Sequence, residues 1–148
     1  MLAYDPTTNP LNQIEWMFGF LECVHILSFA VAIGTIGLVD LRLLGAGPKG
    51  SAPAQILRDT TFWTIGGLAC AITSGLLLFS TDPERYAANP AFRFKVVCLA
   101  LALIYNYTVH RKVAGSKPSR IAGVLTGMLS LLLWIPVIFG GLFYAFTG

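Results

Sequence analysis

The chain has 148 residues, 55% of them hydrophobic and only 11% charged, with a net charge of +3. Soluble domains are about a quarter charged, so a soluble enzyme is excluded, as are a disordered chain, a coiled coil and a nucleic-acid binder. A mean hydropathy of +0.71 leaves an integral membrane protein of one domain.

The first predicted element covers about residues 13–44, the length that crosses a bilayer core of about 30 Å. It contains 17 uncharged residues between Glu22 and Asp40, and Gly45, Gly47 and Pro48 supply its stop. The second, about 59–80, contains the 22 uncharged residues between Asp59 and Asp82. Asp82-Pro83 predicts a short helical turn in the next loop. Asn89-Pro90 then gives an N-cap and a proline at the first helical position, opening a third span over about 90–112. The fourth, about 120–146, holds no charge beyond Arg120, and Pro136 predicts a kink in it. Backbone groups cannot stay unpaired in lipid, so all four are helices. The expected fold is all-α, an integral membrane four-helix bundle.

Lys and Arg near the spans set the orientation. Arg42, Lys49 and Arg58 lie in the first loop; Arg111, Lys112, Lys117 and Arg120 lie in the third. The opposite side has Arg85, Arg93 and Lys95, diluted by Asp5, Glu15, Asp82 and Glu84. Loops one and three are therefore expected in the cytoplasm and both termini on the periplasmic side of a bacterial inner membrane. No signal peptide is read at the N-terminus. Trp16, Trp63, Tyr86, Tyr105, Tyr107 and Tyr144 suit interfacial anchors.

Ionisable residues inside a span mark function by default. With about 100° per residue, Glu15, Glu22, His25 and Asp40 share one stripe of helix 1, and Lys95, Asn106 and His110 share one stripe of helix 3. The two stripes are expected to face each other. Aligned on Arg42 and Arg111, His25 and Lys95 both lie about 25 Å away, at one level. Two polar layers result. The outer one holds Glu22, His25 and Lys95 with Arg93 nearby; the inner one holds Asp40, Arg42 and His110. His25 and His110 are more than about 20 Å apart in depth, which argues against a haem held by both. A haem on His25 alone, or on His25 with another sixth ligand, stays open.

Simpler readings stand beside these. His110 can pair with Asp40 at the interface, Glu22 can form a structural ion pair with Lys95, Lys95 can snorkel outward, and His25 can make a structural hydrogen bond to another helix. Gly66, Gly67, Cys70, Thr73, Ser74 and Gly75 on helix 2, and Gly123, Gly127 and Ser130 on helix 4, serve either close helix packing or room for a flat ring. Cys23, Cys70 and Cys98 are odd in number without short spacing, so neither a disulfide framework nor a zinc ribbon is expected. No P-loop, nucleophile triad or Gly-rich dinucleotide motif occurs.

Three segments carry a resemblance: Glu22, Cys23 and His25 with LVDLRLLG ending at Gly45; SGLLLFSTDPERYAANPAFRFK from Ser74 to Lys95; and NYTVHR from Asn106 to Arg111. Together they resemble an uncharacterised family of small bacterial four-helix membrane proteins. More loosely, the layout is similar to HemJ-type protoporphyrinogen oxidase and to the CopD membrane domain, which also place a histidine early in helix 1 and a lysine at the start of a later helix. The HemJ likeness implies haem b on His25 and a partner role for Lys95; its pattern is weak around helix 2, and Glu22 and Asp40 belong to the uncharacterised family instead.

The functional expectations are three. The first is a haem b-binding redox or electron-transfer protein, with His25 as metal ligand and Lys95, Arg93, Glu22 and His110 as further cofactor-binding candidates. A cation at Lys95 or Arg93 suits a haem propionate, and the electron partner is expected to be a quinone or a periplasmic redox protein. The second is a non-catalytic anchor or accessory subunit of a larger membrane complex. The third is copper handling by Cys23, Cys98, Met17 and His25.

Overall fold

The computed structural model describes residues 5–47 and 50–147. Pro48 and Lys49, part of the expected helix stop and of the loop charge, lie outside the described residues. Among the described residues the chain is helical without strands. Four segments are long and apolar enough to cross a membrane: Met17–Leu43, Pro53–Thr81, Pro90–Gly115 and Arg120–Tyr144.

A 3-10 turn, Pro6–Thr8, is capped by Asp5, whose carboxylate accepts from the Thr7 amide at 3.0 Å. This hydrogen-bonded Thr7 pair holds the exposed Asp5 carboxyl below the usual carboxylate range. The segment then ties itself to the far end of the second span, Pro53–Thr81, where the last carbonyls of a helix lack partners. Asn9 and Asn12 donate side-chain N–H groups to the Ser80 and Thr81 carbonyls at 2.6 and 2.8 Å.

Helix α1 is Met17–Leu43, later than the expected start, so Glu15 precedes it and drops out of the polar stripe. It ends as predicted at Gly45. The Ala46 amide reaches the Leu41 carbonyl at 2.9 Å and the Gly45 amide reaches Arg42 at 3.1 Å, a Schellman closure that requires left-handed backbone at Gly45, φ +87°. Helix α2 is Pro53–Thr81, one and a half turns longer at its start than expected. Pro53 occupies the first turn, and the exposed Arg58 and Asp59 lie on the helix rather than before it; charge at a span's end marks the water boundary, not the helix boundary.

The short helix α3, Pro83–Ala88, is capped by Asp82. Helix α4, Pro90–Tyr105, is capped by Asn89, which accepts from the Ala91 amide at 2.9 Å. The third span then changes winding: a π turn, Asn106–His110, joins α4 to α5, Arg111–Gly115. Helix α6, Arg120–Thr147, runs unbroken across Pro136.

Helix α1 packs along α2, and α4 along α6; the two pairs meet chiefly between α1 and α6. The core between them is Ala32, Ile36, Leu68, Ala102, Trp134 and Val137, and a second cluster joins Val39, Leu43, Ile56 and Ala114. Small residues permit the close approaches, as expected for helices that pack in lipid. A Cβ on Gly67 would lie 2.8 Å from the Ser28 carbonyl oxygen of α1, and one on Gly127 would lie 3.0 Å from the Asp40 carbonyl oxygen. The outside is clad in large apolar side chains such as Leu27, Phe62 and Ile121, which a water-soluble monomer rarely exposes over such an area.

Candidate functional site

The two polar stripes do meet, and they do so in two separate clusters. In the outer one, His25 of α1 turns toward α2. A carbonyl can only accept, so the 2.8 Å contact between His25 Nδ1 and the Ala71 carbonyl oxygen puts the ring hydrogen on Nδ1. The lone pair is then on Nε2, which accepts from Lys95 Nζ of α4 at 3.4 Å. His25 is half-buried. Its ring stacks on Phe29 at 6.0 Å between centroids, and Lys95 Nζ lies 5.8 Å from the same Phe29 ring.

Glycines fix both side chains. A Cβ on Gly75 of α2 would lie 2.9 Å from His25 Cε1, and one on Gly140 of α6 would lie 2.9 Å from Lys95 Cβ. Gly141 is as close to the far end of Lys95, at 3.3 Å from Nζ to its added Cβ. Lys95 therefore lies inward along α6 and does not snorkel. On the small-residue face of α2, Gly67 is taken up by the α1 backbone and Gly75 by the imidazole, while Gly66 lines, with Leu27, Val31, Phe62 and Trp63, an open apolar groove of about 330 Å³ between α1 and α2.

Glu22 and Arg93 are not part of this cluster. Among the described residues the one ion pair is His110–Asp40, so the expected Glu22–Lys95 pair is not formed. Glu22 instead lines an outer-end cavity of about 250 Å³ with Asp82, Arg85, Tyr86 and Tyr144. Arg93 is exposed and its Nε donates to the Ala87 carbonyl, clamping the loop before α4. Tyr86 is buried instead of serving as an interfacial anchor. It stacks on Tyr144 at 4.6 Å and packs against Phe79 and Phe92. Burial, and then a hydrogen bond with Tyr144, raises its phenol above the ordinary range.

The inner cluster is tighter. His110 Nε2 lies 2.6 Å from Asp40 Oδ1, and Ser130 of α6 donates to Asp40 Oδ2 at 2.8 Å. His110 and Asp40 are each 1% exposed and Ser130 is 0% exposed. Arg42, expected here, turns away and donates from Nε to the Ser51 carbonyl at 2.6 Å. The π turn positions His110. Each residue of such a turn advances less around the axis than in an α-helix, which brings His110 back toward the face that carries Lys95 and Asn106.

Ser130 and Trp134 were missed as site residues. The sequence offers Ser130 only as a small residue, for close packing or for room beside a flat ring, and gives Trp134 no role. Their signal was the spacing of four on α6, which stacks Trp134 one turn from Ser130. Trp134 is 2% exposed and meets Phe29 edge-on at 6.2 Å. Phe29 and Trp134 thus bridge the outer and inner clusters. Cys23 and Cys70 are exposed, while Cys98 packs against the core. No three His, Cys, Asp or Glu side chains gather as a metal-binding set among the described residues.

No curated protein and no solved structure matches the chain. A family of unknown function, DUF6644, matches residues 13–147, from just before α1 to the end of α6. The match takes in both polar clusters, and the chain belongs to that family.

Proposed function

We propose that the chain is a multi-pass protein of the bacterial inner membrane, with both termini periplasmic, that binds haem b on His25 and serves electron transfer. The carrying observation is the 2.8 Å bond from His25 Nδ1 to the Ala71 carbonyl. Histidines that ligate metals usually donate their other ring N–H to a carbonyl or carboxylate, which fixes the tautomer and raises basicity. Here that bond leaves the lone pair on Nε2, the nitrogen that faces Lys95 Nζ at 3.4 Å, as the ligand atom.

The donor chemistry fits a b-type haem. It does so on one condition: Lys95 must withdraw from Nε2. Lys95 is the cation within reach of a propionate, a role its flexible stem suits. A bound haem would supply one-electron transfer, with a quinone or a periplasmic protein as partner. The likeness to HemJ-type and CopD proteins supports the same reading through His25 and Lys95. A single protein ligand is enough for haem, whereas copper would need Cys23, Cys98 and Met17 to gather with His25.

The test is a spectrum. Protein purified in detergent and reconstituted with haemin should show a Soret band and sharp bands on reduction, and His25→Ala should abolish them. A full spectrum in His25→Ala, or no haem taken up by the unaltered chain, overturns the reading. Stable copurification with larger subunits and no cofactor would favour an accessory-subunit role instead.

A further inference from the structure

We infer that Ser130, Asp40 and His110 form a proton-binding site, which loads and releases one proton through His110 Nδ1. The inference does not depend on haem at His25.

Three helices deliver the three side chains into one buried place, each 0–1% exposed. Ser130 and His110 satisfy both carboxylate oxygens of Asp40. The remaining ring nitrogen, His110 Nδ1, is buried without a hydrogen-bond partner among the described residues. Buried polar atoms are paired in more than about nine cases in ten, so this one points to a partner that comes and goes.

Counting protons shows which partner. An uncompensated charge in so buried a place is costly, so the Asp40–His110 pair favours a net charge of zero. Two arrangements achieve that. Either Asp40 is ionised and His110 carries both ring hydrogens, or Asp40 holds the shared hydrogen and His110 keeps its own. In both, Nδ1 carries a hydrogen. The orphan atom is therefore a donor, and its natural acceptor is the oxygen of a water molecule. Release is a balanced acid–base step. The Nδ1–H bond breaks, water gains the proton as hydronium, the lone pair stays on Nδ1, and the pair is left with one negative charge and an Nε2–H bond to Asp40.

The surroundings suit that change. From α4, the Tyr105 ring lies 6.5 Å from His110, its hydroxyl donating to the Thr126 carbonyl of α6. Arg111 of α5 is the next residue and donates to Thr61 of α2 at 3.1 Å, a fixed positive charge beside the site. Arg42 of α1 is committed to Ser51. Arg58 and Asp59 of α2, Lys112 of α5 and Arg120 of α6 are exposed. A π turn carries His110, and π turns recur at functional sites.

The chain has two histidines, so ¹⁵N-histidine NMR in nanodiscs resolves them, with His25→Ala giving the assignment. The expected result is that His110 Nδ1 changes from a protonated to an unprotonated signal within the pH range over which the protein stays folded. Ser130→Ala, a small change, should move that midpoint, since one hydrogen bond to the carboxylate is lost. His25→Ala should leave the His110 titration in place. A His110 signal that does not change over this range, or a midpoint that Ser130→Ala leaves untouched, overturns the proposal. Loss of haem with an intact His110 titration would count against the haem reading alone.

Discussion

The two polar clusters lie on the same pair of helices but are built on opposite plans. The outer one is half-buried and joins His25 to Lys95 by a long 3.4 Å contact. The inner one is buried, holds its histidine by a 2.6 Å contact to Asp40, and satisfies both carboxylate oxygens. The difference teaches how burial sets what each cluster can exchange. A buried pair that locks three helices together has room for a proton at most, while a half-buried site joined by a long contact lets a side chain withdraw and a ligand enter.

The sharpest way to break the comparison is to cut each cluster in turn. Asp40→Leu leaves His110 and Ser130 buried without their acceptor and should cost about 3–5 kcal/mol, a large part of the stability of a small domain. Thermal unfolding in detergent should show it as a fall in Tm and yield. Lys95→Met keeps the packing against Gly140 and Gly141 and removes only a long contact, so it should cost less than about 1 kcal/mol. Equal losses for the two variants would undo the contrast.

Two glycines test the same contrast at a lower level. Gly67→Ala drives a Cβ into the Ser28 carbonyl at 2.8 Å. Backbone cannot yield there, so α1 and α2 must separate, at about 1–3 kcal/mol. Gly75→Ala meets the His25 ring at 2.9 Å instead. A side chain can give way, so the stability loss should be smaller, but the Nδ1 bond to Ala71 should be lost. A haem spectrum altered by Gly75→Ala and left intact by Gly67→Ala is the expected outcome.

Smaller effects are expected at the bridge and at the outer end. Trp134 Nε1 is buried without a partner among the described residues, so Trp134→Phe removes an unsatisfied donor at the cost of some volume. The two terms oppose, and the Tm should move by no more than about 1 kcal/mol implies. Tyr86 has the subtlest test. Its phenol is raised above the unfolded value by burial, so the folded state holds the proton longer. The stability this gives is fully present below about pH 10 and is lost as pH rises above that, where the unfolded chain ionises first. Melts at about pH 8 and pH 11 should diverge in the unaltered chain and converge in Tyr86→Phe.

Much of the site was legible because helical geometry is regular. A rotation of about 100° per residue put His25 and Lys95 on facing stripes, and the rise along the helix put them at one level. Asp40 and His110 followed from the same arithmetic. The misses have physical causes too. Glu15 failed because the stripe was extended past the true start of α1, Met17. Glu22 and Arg93 were grouped by depth alone, and depth does not tell whether a side chain turns inward. Arg42 found a loop carbonyl that no periodicity reveals. Tyr86 was read as an interfacial ring because it is aromatic and near a span end, whereas Tyr144, far along the chain, buries it.

The sequence by itself determined the all-helical class, the four segments long and apolar enough to cross a membrane, and the pairing of the two stripes. Each of these follows from local quantities: hydropathy, charge position and helical period. Only the tertiary structure decided that Lys95 turns inward, that Gly67 and Gly75 of α2 are consumed by packing, and that Ser130 completes the inner cluster. Those outcomes depend on distances between helices, and such distances are set by side chains far apart in the chain.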